Sequence, residues 1–218
     1  LITRYKGSNS TLLFSFDDNG TLDQTFDDKT VSLTTIFDQD NKEINFSTHL
    51  LRSIAQDNNG SLWVGTTEGL FLINDTEKMF ERDLRAYRIK IPRNDGTGLA
   101  DYLLGTEEIK AIAVDGANRK WIGTQSSGLY LVSEDGLETI HHFTAENSPL
   151  LSNTIQSVAI NHKTGEVFIG TSNGLVSYQS DAIESSQKFH NVHAYPNPVH
   201  PDFVGSVAIT GLMDGTSV

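Results

Sequence analysis

The chain has 218 residues, 37% of them hydrophobic, and carries 28 Asp and Glu against 16 Lys and Arg, for a net charge of −12. That balance argues against nucleic acid as a partner, because phosphate backbones are bound by clustered Lys and Arg. There is no Cys, which removes disulfides, thiol catalysis and Cys-ligated zinc together, and no apolar run reaches the ~18–20 residues needed to cross a bilayer.

Residues 10 to 26, STLLFSFDDNGTLDQTF, alternate apolar and polar and turn at Asp-Asn-Gly, so they predict strands of a first sheet. The acidic stretch Asp38-Gln39-Asp40-Asn41-Lys42-Glu43 approximates a calcium loop, but Lys42 at its fifth position and Glu43 at its sixth break the pattern. It is expected to be a solvated turn, like Asp17-Asp18-Asn19-Gly20 and Asp27-Asp28.

From Leu51 the chain reads LRSIAQDNNGSLWVGTTEGLFLIN, a pattern that returns as IKAIAVDGANRKWIGTQSSGLYLVS from Ile109 and IQSVAINHKTGEVFIGTSNGLVSYQ from Ile155. Each copy has a strand, a turn bearing Gly or Asn, an aromatic-apolar-Gly-Thr strand, a second turn and a Gly-Leu strand. The recurring positions are Trp63, Gly65, Thr66 and Gly69, then Trp121, Gly123, Thr124 and Gly128, then Phe168, Gly170, Thr171 and Gly174. Asn-Gly supplies the positive φ of tight hairpins, so each copy predicts an antiparallel meander of three or four strands.

The first interval is lengthened by RAYRIKIPRNDGTGLADYLLGTEE, read as a long inter-strand loop. Loops 81–107 and 138–154 are the expected functional surfaces, since connections present the variable faces of a rigid scaffold. In the first, Arg82, Arg85, Arg88, Lys90 and Arg93, with Tyr87 between, concentrate positive charge against the overall balance. The alternatives there are a solvated hairpin and a contact site for an anionic glycan or an acidic partner.

Ile54 to Leu70 resembles the two-component-regulator propeller repeat, roughly I-x-x-I-x-x-D-x-x-G-x-L-W-I-G-T-x-x-G-L. The second copy departs from it at Arg119-Lys120, and the third at Asn161 and Phe168. The resemblance implies an all-β fold of β-propeller blades, each an antiparallel four-stranded meander, over 1–182. Three repeats lie around 51–75, 109–133 and 155–179, with one further blade before 50, matching blades of roughly 40–50 residues.

After a linker at 183–191, residues 192–218 change composition. Tyr195-Pro196-Asn197-Pro198 leads into VGSVAITGL, which resembles the opening of the C-terminal sorting domain of type IX secretion cargo, a small β-sandwich. The sequence is expected to be part of a longer chain. Repeat and tail together resemble propeller proteins of the type IX attachment machinery. They imply a non-enzymatic exported scaffold or adaptor in the periplasm or at the outer-membrane surface. Its implied partners are a sortase-like surface component and an anionic glycan or lipopolysaccharide. The alternative is the periplasmic sensing region of a hybrid histidine kinase responding to a glycan; a propeller glycan lyase or hydrolase comes third.

Catalytic, cofactor and metal residues are each expected to be none. Gly170-Thr171-Ser172-Asn173-Gly174 matches G-x-S-x-G, but a nucleophile elbow needs a following helix and a strand is predicted. Trp63, Trp121 and Phe168 share one register and are expected to pack blade on blade rather than stack on sugars. Of the seven His, His190 and His193 lie three apart on an extended stretch and face opposite ways, so no metal site is predicted.

Overall fold

The computed structural model describes residues 2–4, 11–21, 23–81, 83–184, 192–205 and 207–212. The first sheet pairs β1 (Ile2–Arg4), β2 (Thr11–Asp17) and β3 (Lys29–Leu33), and β4 (Thr35–Phe37) forms a hairpin with β5 (Glu43–Asn45). The second sheet is β6 (Leu51–Gln56), β7 (Leu62–Thr66) and β8 (Gly69–Ile73), followed by a 3₁₀ turn at Thr76–Phe80 and a hairpin of β9 (Lys90–Pro92) and β10 (Ala100–Tyr102). The third is β11 (Ile109–Val114), β12 (Lys120–Thr124), β13 (Leu129–Val132) and β14 (Thr139–Phe143); the fourth is β15 (Ile155–Asn161), β16 (Glu166–Thr171) and β17 (Gly174–Gln179). In the tail, β18 (His193–Tyr195) pairs with β19 (Ala208–Thr210).

Every pairing among named strands is antiparallel and sequential, as the repeat predicts. Among the described residues four strands are complete only in the third sheet. In the second, the fourth position is held by Tyr87, whose backbone exchanges two hydrogen bonds with Leu72 at 2.7 and 2.8 Å. The fourth sheet has three strands among the described residues. The expected long loops are therefore partly strand: 81–107 holds the Tyr87 pairing and the β9–β10 hairpin, and 138–154 begins with β14.

The first strands β6, β11 and β15 lie side by side, and apolar layers fill the gaps between successive sheets. Alternation within a strand sends neighbours to different gaps. Val64 packs with Leu13, Ile44 and Phe71 on one side, while Trp63 packs with Ile89, Ile109 and Ile122 on the other. Ile122 joins that second layer, and Trp121 the next one with Ile155, Val167 and Ile169.

The repeated Gly makes this spacing work. A Cβ on Gly65 would stand 2.9 Å from the Cβ of Ile109 in the next sheet, and one on Gly123 2.9 Å from the Cβ of Ile155. The repeated Thr closes the turn that follows. Thr66, Thr124 and Thr171 each donate through Oγ1 to the carbonyl of Gly69, Gly128 and Gly174, at 2.8, 2.9 and 2.8 Å. Each Oγ1 also accepts a backbone N–H from within its turn, at 3.0, 2.9 and 3.2 Å. Among the described residues no helix is long and apolar enough to cross a membrane.

Candidate functional site

Three hairpin turns use one device. Asp38, Asp57 and Asp115 each accept, on Oδ1, the backbone N–H groups two and four residues ahead, at 2.8–3.0 Å. The residue three ahead takes positive φ: Asn41 at 57°, Gly60 at 86° and Asn118 at 58°. The turns differ at the second carboxylate oxygen. Asp57 Oδ2 accepts the Trp63 indole N–H at 2.9 Å, and Asp115 Oδ2 accepts Arg119 Nε at 2.8 Å. Asp38 Oδ2 is buried without a partner, as is the Trp121 indole nitrogen, whose counterpart acceptor is taken up by Arg119.

Arg119-Lys120, the departure from the motif, is a bridge in both directions. Lys120 is fully buried; its ammonium donates to the carbonyls of Asn118 and Glu134 at 2.7 Å each and stands 3.2 Å from Asp57 Oδ2 in the preceding sheet. It also lies 4.7 Å from the centre of the Trp63 ring, a cation–π contact. Burial pushes the Lys120 pKa down, with Asp57 acting against it. Burial alone would raise Asp57, but the Trp63 N–H and the Lys120 charge outweigh it and hold Asp57 below the usual carboxylate value. Arg119 reaches the other way, to Ser180 Oγ at 3.1 Å and Asp181 Oδ1 at 2.7 Å.

The structure brings together two sequence features read separately, the acidic loop at 38–43 and the basic run at 85–93. Lys90 pairs with Asp40 Oδ1 at 2.8 Å, and the Tyr102 hydroxyl donates to Asp40 Oδ2 at 2.7 Å. The Lys90 ammonium, then that hydroxyl, hold Asp40 below its ordinary pKa, while the bond to Asp40 and burial push Tyr102 up to about 12. Arg88 is buried with its guanidinium 4.1 Å from the Tyr102 ring centre, and its backbone N–H and C=O are both bonded by the Gln39 amide at 2.9 and 2.7 Å. Arg85 donates to Asn41 Oδ1 at 2.9 Å and lies over Phe37. Arg93 holds Asp101 through two bonds of 2.7 and 2.6 Å.

The expectation of solvated acidic turns is thus corrected at Asp38, which is completely buried. In the basic run Arg88 is buried, whereas Arg85, Lys90 and Arg93 are exposed and each bonds a neighbouring side chain. Arg82 lies outside the described residues. Between loop and run is a cleft of about 460 Å³ lined by Asp38, Gln39, Asn41, Asn74, Asp75 and Arg85 to Tyr87. Its lining offers amides, carboxylates, one guanidinium and the exposed Tyr87 ring. That is hydrogen-bonding and stacking chemistry, without a Ser, Cys or His nucleophile.

A family model described as two component regulator propeller matches residues 46–68. The chain is built from two-component-regulator propeller repeats. Its sheets are propeller blades, and a solved propeller protein matches nearly all of them. That protein is PorZ, described as an essential bacterial surface component of the type-IX secretion system of Porphyromonas gingivalis. The match has 34% identity and a TM-score of 0.73, covering 96% of this chain and 28% of PorZ. An extracellular domain described as part of a hybrid two component system from B. thetaiotaomicron matches at 19% identity and TM-score 0.48, covering 84% of this chain and 24% of that one. No curated protein matches the sequence.

Within the blades, Trp63, Trp121, Gly65 and Gly123 are buried between neighbours, whereas Phe168 and Gly170 are half-buried. Ser172 sits in the β16–β17 turn, its hydroxyl 2.9 Å from that of Ser152, and a strand follows it. Among the described residues no three His, Asp or Glu gather as a metal site, and His190 lies outside them. In the tail, Tyr195 is exposed, and the Tyr195–Pro196 and Asn197–Pro198 bonds are cis. The described part is one β18–β19 hairpin; 213–218 lie outside it.

Sequence reasoning missed the Asp38 turn as a copy of the Asp57 turn. Its signal was present: buried Ile44 follows Asp38 at the spacing by which Trp63 follows Asp57.

Proposed function

We propose that the protein is a non-enzymatic, exported propeller scaffold of type IX secretion, linking surface machinery to cargo at the periplasm or outer-membrane surface. The match to PorZ carries this reading. At 34% identity it covers 96% of the chain, which leaves too few residues unmatched to exclude the tail from 192 onward. A match of that extent reaches beyond the repeats, which supports the reading more than a likeness confined to the blades would. The candidate cleft, with its amides, one guanidinium and the exposed Tyr87 ring, offers groups suited to recognition. The rival reading, a sensing region of a two-component system, takes its support from the family model's description, two component regulator propeller.

Affinity purification of the full-length protein from the membranes of the organism that makes it separates the two. Co-purification with type IX surface components and sorting-domain cargo is expected. A polypeptide that itself continues into a membrane helix and a kinase would overturn the proposal.

A further inference from the structure

Successive sheets are joined by connections that pass the same point of the repeat. Gly69 donates its N–H to the Glu107 carbonyl and backs onto Gly105, while Gly128 donates to the Asn153 carbonyl and backs onto Phe143. What the two connections bring into the gap differs. Between the second and third sheets, the long insertion supplies Ile89, Leu103 and Leu104 to the apolar layer. Between the third and fourth, the shorter connection after β14 supplies Leu150.

The shortfall is a cavity of about 350 Å³ lined by Leu129, Phe143, Leu150, Ile169, Val176 and Tyr178. Every residue that lines it is uncharged, in a chain where 20% are charged. Its polar lining residues Asn147 and Ser148 are already taken up by the connection. Asn147 accepts the Thr144 N–H at 2.7 Å and donates to the His142 carbonyl at 2.9 Å, and Ser148 donates to the Thr144 carbonyl at 2.6 Å. The two rings of the wall, Phe143 and Tyr178, stand 5.1 Å apart at 52°. Behind them Trp121 lies parallel to Phe143 at 6.1 Å and tilted to Tyr178 at 5.6 Å.

We infer that this cavity receives an aromatic side chain presented by a protein partner. A charged group would be buried there without a counter-charge, which is costly. A sugar or a free small molecule is oriented by convergent polar groups, and those of the lining are occupied. A ring delivered on a polypeptide needs no such handle, and aromatic anchors that fill apolar pockets dominate many protein interfaces. Two walls tilted by 52° offer an incoming ring a face and an edge, the contacts aromatic pairs prefer. The inference goes beyond the type IX reading and stands whether or not that reading does.

The test is ligand-observed NMR on the full-length protein, with N-acetyl-phenylalanine amide as the probe for a peptide-borne ring. Saturation transfer to the ring protons is expected, and N-acetyl-leucine amide should bind about threefold to tenfold more weakly. No transfer to the ring, the result also given by a cavity that the protein's own chain fills, overturns the inference. Displacement of the probe by decanoate names an acyl chain, and displacement by N-acetylglucosamine names a sugar; either overturns it. Benzyl alcohol binding more tightly than the capped residue names a free small molecule and overturns it as well. Val176→Phe puts a ring of the protein's own into the cavity and is expected to abolish the transfer with Tm kept or raised. Unchanged transfer in that variant overturns the inference, and the wild-type comparisons decide it independently if the variant does not fold.

Discussion

Replacing Lys120 by Met keeps most of the side-chain stem and removes the ammonium. Three acceptors then lose a donor inside the protein: the carbonyls of Asn118 and Glu134 and the Asp57 carboxylate. Breaking a buried ion pair from one side costs about 3–5 kcal/mol, because the remaining charge is left uncompensated. Asp57 keeps the Trp63 N–H and the backbone N–H groups of Asn59 and Ser61, and the cost of burying the ammonium is recovered. The net loss should therefore be about 2–3 kcal/mol, below that range. Urea unfolding followed by Trp fluorescence measures it, since Trp63 lies against the Lys120 ammonium. In a double-mutant cycle with Asp57→Asn, the pair should be less destabilising than the sum by about 1 kcal/mol or more. A Lys120→Met loss under about 0.5 kcal/mol, with additive effects, would show that this bridge does not join the blades.

Gly123→Ala forces a Cβ to within 2.9 Å of Ile155 Cβ and should cost about 1–3 kcal/mol by overpacking, read from the same unfolding curves. Thr124→Val loses the hydroxyl that bonds Gly128 C=O and Ser127 N–H, and should cost about 1–3 kcal/mol. Asp57, with an ordinary value of 3.8, has its folded pKa depressed, so the unfolded state takes up protons first on acidification. Its stabilisation is complete above that value and lost as pH falls through the folded pKa; Asp57→Asn should flatten the acid limb of stability against pH. Ser172→Ala removes only an exposed turn hydroxyl and should change stability by less than about 0.5 kcal/mol, read from the same unfolding curves.

Blade architecture was legible in the sequence because each element of the repeat has a backbone reason of its own. Asn-Gly or Asp-x-x-Asn makes a turn locally, and Gly65 or Gly123 declares a close approach whatever the partner. The pairing of Asp40 with Lys90 and Tyr102 was not legible. Those residues lie 50 and 62 positions apart, and only the stacking of blades brings them together. For the same reason the charged runs at 38–43 and 85–93 read as two surfaces when they are one network.

Lys120 lies between these cases. A Lys where the repeat asks for an apolar residue is a visible conflict, and its resolution, a buried bridge to Asp57, needed the neighbouring blade. Leu175 is the converse. Its sequence is as orthodox as that of Leu70, and only the fold shows that one is covered and the other is not.

Deletion of the gene tests the proposed role as a scaffold of type IX secretion. Fractionating the deletion strain and following one sorting-domain cargo protein reads the result. Cargo is expected to be lost from the cell surface and recovered unanchored, with attachment restored by the wild-type gene. Cargo anchored as in the parent strain, with a failure instead to respond to a glycan, would contradict it.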